Sequence, residues 1–281
     1  MARCRLTRQL AQLAAILLLL PTIAIGAEAQ SAFNEGVKLY KAGKFKEAVA
    51  AFNRAVKAAP KSDEAYNNRG LAYFKLGQID SAIKDYDEAI KLNPKLTEAF
   101  FNRGNAQLAQ KHYEYAAKDF DEVIKNQPGA AQAYRQRGLA YNALKQFDKA
   151  VSDFNQAQKS DAKDAEIYYQ RGLAYRRLGK NELAVQDFSS AIKLEPKNAE
   201  SYNNRANGYS LLGKYEDAVK DYDEAIKLDG KNGKLYANRG VIRARQGKNG
   251  DAERDFKKAI ELDPALKDFL DPLILQLKGK S

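Results

Sequence analysis

The sequence predicts an all-α protein of seven 34-residue helix-turn-helix repeats, followed by a C-terminal capping helix. First, residues 63–96 align with the rest of the segment 29–266 at a constant spacing of 34 residues, without insertion or deletion. Second, each copy contains two stretches in which apolar and small residues recur at helical spacing. Third, a glycine or lysine separates the two stretches, and a proline closes five of the seven copies.

The N-terminal segment, residues 1–29, has the three parts of a secretory signal peptide. Three arginines precede an apolar run over residues 10–25, and a triplet of alanine, glutamate and alanine follows. We therefore expect cleavage after Ala29 and export to a bacterial periplasm or out of the cell. The alternative is an uncleaved membrane anchor, because a run of this length could span a thin bilayer.

The repeats share a small set of positions, numbered here from the first residue of each copy. Position 20 is always alanine, position 24 is always phenylalanine or tyrosine, and position 8 is glycine in six copies and alanine in one. Small residues let two helices approach closely, and aromatic rings fill the remaining space. These positions therefore predict the core. The repeats are 29–62, 63–96, 97–130, 131–164, 165–198, 199–232 and 233–266.

This pattern of small, aromatic, alanine and proline residues strongly resembles the tetratricopeptide repeat family. The resemblance covers residues 29–266 and implies an α-solenoid that coils into a right-handed superhelix. It also implies a concave groove lined by the first helix of each repeat. Two positions depart from the family pattern: position 4 carries tyrosine or phenylalanine instead of tryptophan in six copies, and position 7 carries arginine instead of leucine in six copies.

The arginine at position 7 has an aspartate partner sixteen residues later, at position 23. The first repeat has Glu35 and Ala51 at these positions, so both partners are absent together. This joint absence predicts structural ion pairs within a repeat rather than between repeats. The predicted pairs are Arg69 with Asp85, Arg103 with Asp119, Arg137 with Asp153, Arg171 with Asp187, Arg205 with Asp221, and Arg239 with Asp255.

Position 6 is an amide in every repeat, on the face that the resemblance assigns to the groove. Each amide carries donor and acceptor groups that suit the backbone of an extended peptide. This is similar to the asparagine ladder of O-linked N-acetylglucosamine transferases, although no transferase domain is present here. The alternative is a role in helix packing. The amides are Asn34, Asn68, Asn102, Gln136, Gln170, Asn204 and Asn238.

The side chains around these amides change along the chain. The first three repeats are apolar in the expected groove, where we expect an exposed aromatic cluster, whereas the later repeats are polar and basic. This gradient predicts a protein or peptide partner with apolar and acidic ends. The alternative is that the apolar side chains pack between repeats. The candidate groove residues are Phe33, Tyr40, Phe74 and Phe101 on the apolar side and Arg135, Arg176 and Arg177 on the basic side.

The composition argues against catalysis. The 281 residues include one histidine and one cysteine, and no phosphate-binding loop, dinucleotide motif or zinc-protease motif is present. We therefore expect no enzyme, no metal site and no cofactor. The net charge of +11 is distributed by helix polarity rather than gathered among stacking groups, so we do not expect nucleic acid binding.

Residues 267–281 are predicted to form a capping helix and tail. The segment holds more apolar residues than one packed face needs, and Asp271-Pro272 resembles a new helix start. A cap over the last repeat is the first interpretation, and a self-association patch is the alternative.

Together, these features predict an exported, non-catalytic scaffold that binds protein segments and helps to assemble an envelope complex. The alternatives are a self-assembling structural protein that stacks through its ends, and a membrane-tethered form of the scaffold that keeps residues 1–29.

Overall fold

The computed structural model describes residues 26–278, and every regular element in that range is a helix. The expected signal segment up to residue 25 lies outside the described residues, as do residues 279–281 of the expected tail. The first helix, α1, covers residues 26–41. The further α-helices are α2 (Phe45–Ala58), α3 (Asp63–Lys75), α4 (Ile79–Leu92), α5 (Thr97–Ala109), α6 (Tyr113–Asn126), α7 (Ala131–Ala143), α8 (Phe147–Ser160), α9 (Ala165–Arg177), α10 (Asn181–Leu194), α11 (Ala199–Leu211), α12 (Tyr215–Leu228), α13 (Gly233–Arg245), α14 (Asn249–Leu262) and α15 (Lys267–Lys278).

The helices follow the repeat with nearly constant bounds. From α3 onward, each first helix occupies positions 1–13 and each second helix positions 17–30 of its repeat. The exception is α1, which is already helical at residue 26, before the expected start of the first repeat at residue 29. No preceding repeat supplies a closing proline and turn there, and alanine and glutamate at residues 27–29 favour continuation of the helix.

The chain forms two compact units that divide between Gln136 and Arg137, inside α7. In the first unit, each helix from α2 to α5 packs on the next helix in the chain. The second unit continues the same succession from α8 to α15. Each unit is therefore a stack of helical hairpins with no sheet among its described residues.

The core of a hairpin lies between the glycine at position 8 and the aromatic ring at position 24. A Cβ atom on Gly70 would lie only 2.6 Å from Cε1 of Tyr86, and one on Gly240 would lie 2.6 Å from Cε1 of Phe256. Both rings are fully buried. In these two repeats the close approach of the helices leaves no room for a side chain at position 8. The sixth repeat differs, because it buries the methyl group of Ala206 at this position.

The turn inside each hairpin uses left-handed backbone at position 15. Glycine occupies it in five repeats, with φ of 73° at Gly43 and 76° at Gly247. In the third and fourth repeats the residue is a lysine, with φ of 62° at Lys111 and 58° at Lys145. In these two turns a residue with a Cβ atom has left-handed backbone, which raises the conformational energy of an L-residue.

The last helix, α15, covers the seventh repeat. Leu270 is completely buried, and Ile274 and Leu277 pack with it against Phe256. The expected helix start at Asp271-Pro272 is wrong, because Pro272 lies inside α15. The helix begins at Lys267, after the 3₁₀ turn Pro264–Leu266. Pro272 removes one internal hydrogen bond, and the buried side chains on both sides of it hold the helix on the core.

None of the helices in residues 26–278 is long and apolar enough to cross a membrane.

Candidate functional site

The arginine at position 7 makes a two-bond ion pair with the aspartate at position 23 of its own repeat. In the sixth repeat, Nε of Arg205 donates to Oδ2 of Asp221 and Nη2 donates to Oδ1, both at 2.7 Å. The same two bonds, between 2.6 and 3.0 Å long, join the other five predicted pairs. The geometry places all six arginines within their own hairpins, as bidentate partners of a carboxylate.

The same arginines also reach back to the preceding repeat, which the sequence interpretation missed. In five repeats Nη1 donates to a side-chain oxygen at position 25 of the repeat before. These bonds join Arg69 to Asn53 (2.9 Å), Arg103 to Asp87 (2.6 Å), Arg171 to Asn155 (2.7 Å), Arg205 to Ser189 (3.1 Å) and Arg239 to Asp223 (2.6 Å). A signal exists in the sequence: position 25 carries an oxygen acceptor in the first six repeats and Lys257 in the seventh, which no further arginine follows.

Aromatic rings surround these guanidinium groups. The guanidinium carbon of Arg69 lies 5.2 Å from the ring centre of Tyr66 and 6.0 Å from that of Tyr73. The hydrogen bonds to Asp85 raise the pKa of Arg69, whereas burial raises the pKa of the Asp119 and Asp187 carboxyls against the influence of their arginines. The position 7 arginines are therefore structural ties, enclosed by protein groups on several sides.

The amides at position 6 are engaged inside the chain. Several donate to a side chain of the preceding repeat, and others bond within their own helix. The bonds run from Asn102 to Asn67 (2.9 Å), from Gln136 to Asn105 (2.8 Å), from Asn238 to Asn203 (3.1 Å), from Asn204 to the Tyr169 hydroxyl (3.1 Å), from Asn68 to the Glu64 carbonyl (2.8 Å), from Gln170 to Glu166 (2.8 Å), and from Gln30 to Asn34 (3.0 Å). Most of these bonds use the amide N–H groups, and several of them join neighbouring first helices. The position 6 amides therefore offer mainly their carbonyl oxygens to a ligand.

The aromatic residues expected as an exposed cluster are half-buried instead. Phe33 packs on Phe52 with ring centres 5.8 Å apart, and Tyr40 packs on Phe45 at 5.3 Å. Phe74 belongs to the apolar cluster around Tyr86. These side chains pack between the first and second helices, where apolar area becomes buried. The expectation of an exposed aromatic cluster is therefore corrected.

Phe101 has a second role, because it lines a pocket in the first unit. Its ring contacts Phe120 at 5.7 Å between centres, and its other side faces a cavity of about 440 Å³. The pocket lies among α3, α5, the end of α6 and the first turn of α7. Its lining is Asn67, Leu71, Thr97, Glu98, Phe101, Asn102, Val123, Gln127, Ala130, Ala131, Gln132 and Ala133. The walls are mostly apolar, and four amide side chains complete the lining.

The second unit has a pocket at equivalent positions, three repeats later. This cavity of about 390 Å³ is polar, with Glu200, Asn203 and Lys234 in its lining. The Tyr169 hydroxyl donates to Oε2 of Glu200 at 3.0 Å, and burial raises the pKa of Tyr169 to about 12. The same repeat geometry thus forms an apolar pocket in one unit and a polar pocket in the other.

The basic residues expected in the groove occupy different environments. Arg135 is half-buried in the first unit. Arg176 is half-buried in the second unit, where its Nη1 donates to Oδ1 of Asn204 at 2.8 Å. Arg177 is exposed beside it. Among residues 26–278, no group of three or more histidine, cysteine, aspartate or glutamate side chains is arranged to hold a metal ion.

Family models match most of the repeat region. Three models described as tetratricopeptide repeats match residues 63–96 and 199–232, residues 233–266, and residues 98–130. A fourth model, described as a TPR repeat, matches residues 36–77, 138–179 and 172–213. No curated protein sequence matches this chain.

Solved structures share the fold over most of the chain. The C-terminal part of a TPR repeat-containing protein from Cytophaga hutchinsonii aligns with a TM-score of 0.71 and 19% identity, over 85% of this chain and 98% of that one. A tetratricopeptide repeat protein from Parabacteroides merdae aligns with a TM-score of 0.64 and 21% identity, over 90% and 99%. YrrB, described as a TPR protein with an unusual peptide-binding site, aligns with a TM-score of 0.58 and 21% identity, over 63% and 92%.

Proposed function

The chain belongs to the tetratricopeptide repeat family, and on this premise we propose that it is an exported, non-catalytic scaffold that binds extended segments of partner proteins. Proteins of this fold are protein-interaction scaffolds and are generally not enzymes. The finer proposal has three parts: a peptide-binding groove, export, and a role in assembling a complex of the cell envelope.

The apolar pocket of the first unit carries the proposal. Its volume of about 440 Å³ falls within the usual range for ligand sites, about 300–1,000 Å³, and exceeds what one side chain needs. Leu71, Phe101 and Val123 supply apolar walls. Burying one leucine-sized side chain of a partner there contributes about 1.5–3 kcal/mol.

The polar groups that line this pocket suit a peptide backbone. Asn102 donates its N–H to Asn67, which leaves its own carbonyl oxygen as an acceptor for a backbone N–H. Ala130 precedes α7 where Ser62 precedes α3, and Ser62 caps its helix with the side-chain oxygen. An alanine has no such oxygen, and the equivalent amide of α7, the Ala133 N–H, donates instead to the Ala130 carbonyl at 3.0 Å. The two amides before it, those of Ala131 and Gln132, remain available to a partner's carbonyl group. An apolar anchor with backbone contacts on both sides is the mode of recognition that this site supports.

Export rests on the sequence of residues 1–29. Basic, apolar and small-residue parts follow one another in the order that a secretory signal requires. Intact mass of the protein isolated from cells distinguishes the cleaved form, which begins at Gln30, from the membrane-tethered alternative.

A pocket-filling variant tests the groove without removing a packed side chain. Ala131 is half-buried and lines the apolar pocket, so Ala131→Phe places a ring into the cavity. Ala199 has the same repeat position and the same burial, and it lines the polar pocket of the second unit. Ala199→Phe is therefore a matched control. Both variants are compared with the original chain in affinity purification from cell envelopes, after thermal melting shows that they remain folded.

The proposal predicts that Ala131→Phe loses partner proteins that the original chain and Ala199→Phe both retain. Equal retention by all three proteins contradicts a role for the apolar pocket. If the original chain retrieves no partner above a no-bait control, the scaffold function itself is contradicted.

A second candidate function, self-assembly through the C-terminal end, is favoured by the outer face of α15. Phe269 is 65% exposed and Leu275 is 69% exposed, although a cap normally presents polar residues to water. Light scattering over a range of concentrations tests this candidate. A mass that rises with concentration, and that returns to the monomer value in a Phe269→Ser, Leu275→Ser variant, supports it; a constant monomer mass excludes it.

A further inference from the structure

Three arginines of the second unit stand apart from the structural ion pairs. Arg176 and Arg177 end α9, and Arg245 ends α13. No ion pair involves any of the three among residues 26–278, whereas every position 7 arginine is paired there. An arginine without a carboxylate is a candidate binding group for an anion.

Arg176 is the most constrained of the three. Its guanidinium is half-buried, and its recorded bond goes to a neutral acceptor, Oδ1 of Asn204. Burial lowers its pKa, and the charge of Arg177 lowers it further. The Glu200 carboxylate has another partner, because it accepts from the Tyr169 hydroxyl. The charge of Arg176 is thus partly removed from water without compensation by an acid.

Arg177 and Arg245 belong to an exposed row along the second unit. They occupy position 13 of the fifth and seventh repeats, and Leu211 occupies position 13 of the sixth repeat between them. Leu211 is 62% exposed, and both arginines are exposed. Consecutive first helices thus present a cation, an apolar side chain and a second cation.

Charge complementarity identifies what this row would bind. We propose that Arg176, Arg177 and Arg245 bind an acidic extended segment of a partner protein, with one carboxylate on each side of an apolar residue that covers Leu211. The proposal rests on the proposed function, because it names the partner chemistry of a second subsite in the same scaffold.

Helix spacing sets the spacing of the acidic residues. Packed helix axes lie about 8–10 Å apart, so two steps from α9 to α13 span roughly 20 Å. An extended chain rises about 3.3 Å per residue. The two carboxylates therefore fall about six residues apart, with the apolar residue midway between them.

Cations in the last turn of a helix also complement the carbonyl end of its dipole. If that were the whole role of these arginines, they would bind no acidic segment more tightly than other surface cations do. This difference is what the experiment measures.

The probe is a fluorescein-labelled glycine-serine peptide with one leucine in the middle. One glutamate lies three residues before this leucine, and a second glutamate lies three residues after it. Fluorescence anisotropy compares its binding to the full chain with that of a peptide in which both glutamates are glutamine. We expect at least tenfold tighter binding of the acidic peptide at low salt. The Arg177→Gln, Arg245→Gln variant should lose at least tenfold in affinity for it.

A second double variant, Lys227→Gln with Arg254→Gln, is the control for net charge, because both cations have carboxylate partners in the chain. It removes two exposed cations from second helices and should change the affinity less than twofold. Equal binding of the two peptides, or equal losses in the two variants, overturns the inference. In that event, partners lost from Ala131→Phe would still support the scaffold function, so the two failures are distinguishable.

Discussion

Arg171 and Asp187 form a two-bond ion pair inside the fifth repeat: Nε donates to Oδ2 at 2.8 Å, and Nη2 donates to Oδ1 at 2.7 Å. Nη1 donates to Asn155 of the preceding repeat at 2.7 Å. One side chain thus closes its own hairpin and joins it to its neighbour. In a repeat protein, each repeat contacts only its neighbours, and the free energy of unfolding is the sum of repeat stabilities and interface stabilities. The bonds of Arg171 contribute to both.

Removing one partner of this pair should destabilise the protein more than removing both charges. Arg171→Ala leaves the buried Asp187 carboxylate without its cation, which typically costs about 3–5 kcal/mol. The Arg171→Leu, Asp187→Leu double variant removes both charges and restores apolar volume, so its melting temperature should fall less. Equal falls in melting temperature, measured by circular dichroism, would contradict the pairing.

The glycine at position 8 should not tolerate a methyl group where the ring at position 24 is closest. In Gly70→Ala the new Cβ meets Cε1 of Tyr86 at 2.6 Å, and the overpacking should cost about 1–3 kcal/mol. Gly250→Ala is the control, because its Cβ meets no atom closer than 4.0 Å and alanine favours a helix by up to about 1 kcal/mol. Denaturant unfolding should show opposite shifts, and a stabilised Gly70→Ala would refute the packing argument.

The two lysines with left-handed backbone should be stabilised by glycine. Lys111 and Lys145 have φ of 62° and 58°, where a Cβ atom costs roughly 1–2 kcal/mol. Lys111→Gly should therefore raise the unfolding free energy by about 1 kcal/mol. The gain is reduced in part because glycine also increases the conformational entropy of the unfolded chain. The reverse change, Gly77→Lys, should lower it. Shifts of the same sign in both variants would rule out backbone strain as the cause.

The buried tyrosine of the second repeat should weaken the protein at alkaline pH. Burial raises the pKa of Tyr86 above the value near 10 that it has when unfolded. The stability from the neutral phenol is complete below pH 10 and is lost as the pH rises toward the folded-state pKa, by about 1.4 kcal/mol per pH unit.

Tyr86→Phe removes this loss because phenylalanine has no ionisable group. The ring should still fit, since phenylalanine occupies the same position in five other repeats. Between pH 10 and 11.5 the melting temperature of the original chain should therefore fall faster than that of Tyr86→Phe. Tyr115→Phe, at a 63% exposed site, is the control and should fall with the original chain. Parallel falls in all three proteins would show that Tyr86 does not titrate differently on unfolding.

The two faces of α15 should respond differently to truncation. Leu270 is completely buried against the seventh repeat, so Leu270→Ala should cost about 2–5 kcal/mol. Phe269 is exposed, so Phe269→Ala should leave the unfolding free energy within about 0.5 kcal/mol. A large loss from Phe269→Ala, measured by denaturant unfolding at low protein concentration, would mean that this residue is covered in solution.

The architecture was predictable because the repeat carries its own redundancy. Each of the seven copies predicts the same helices, turns and core positions, so the copies confirm one another. The small residue at position 8 and the aromatic ring at position 24 recur together, which indicates that they pack against each other. The ion pairs were predictable from the first repeat, where Glu35 and Ala51 replace both partners at once.

Contacts between repeats were harder to predict. The bond from position 7 to position 25 of the previous repeat depends on how hairpins stack, and a spacing of sixteen residues in each direction gives two candidate acceptors for one arginine. Residues on the first helices gave the clearest errors. Phe33 and Tyr40 share the face assigned to the groove, yet they turn toward the second helices because apolar area is available there. Asp271-Pro272 has the local pattern of a helix start, but the packing of Leu270 and Ile274 on the seventh repeat continues the helix through Pro272.

Photo-crosslinking in cells tests the central claim, that the apolar pocket of the first unit holds a partner protein, most directly. A photoreactive phenylalanine analogue replaces exposed Gln132 at the pocket in one protein and exposed Tyr115 on α6 in another. We predict covalent adducts with a partner protein from position 132 and none from position 115, and loss of these adducts when Ala131→Phe fills the cavity. Adducts from position 115 alone, or adducts from position 132 that persist in the filled variant, would contradict the account.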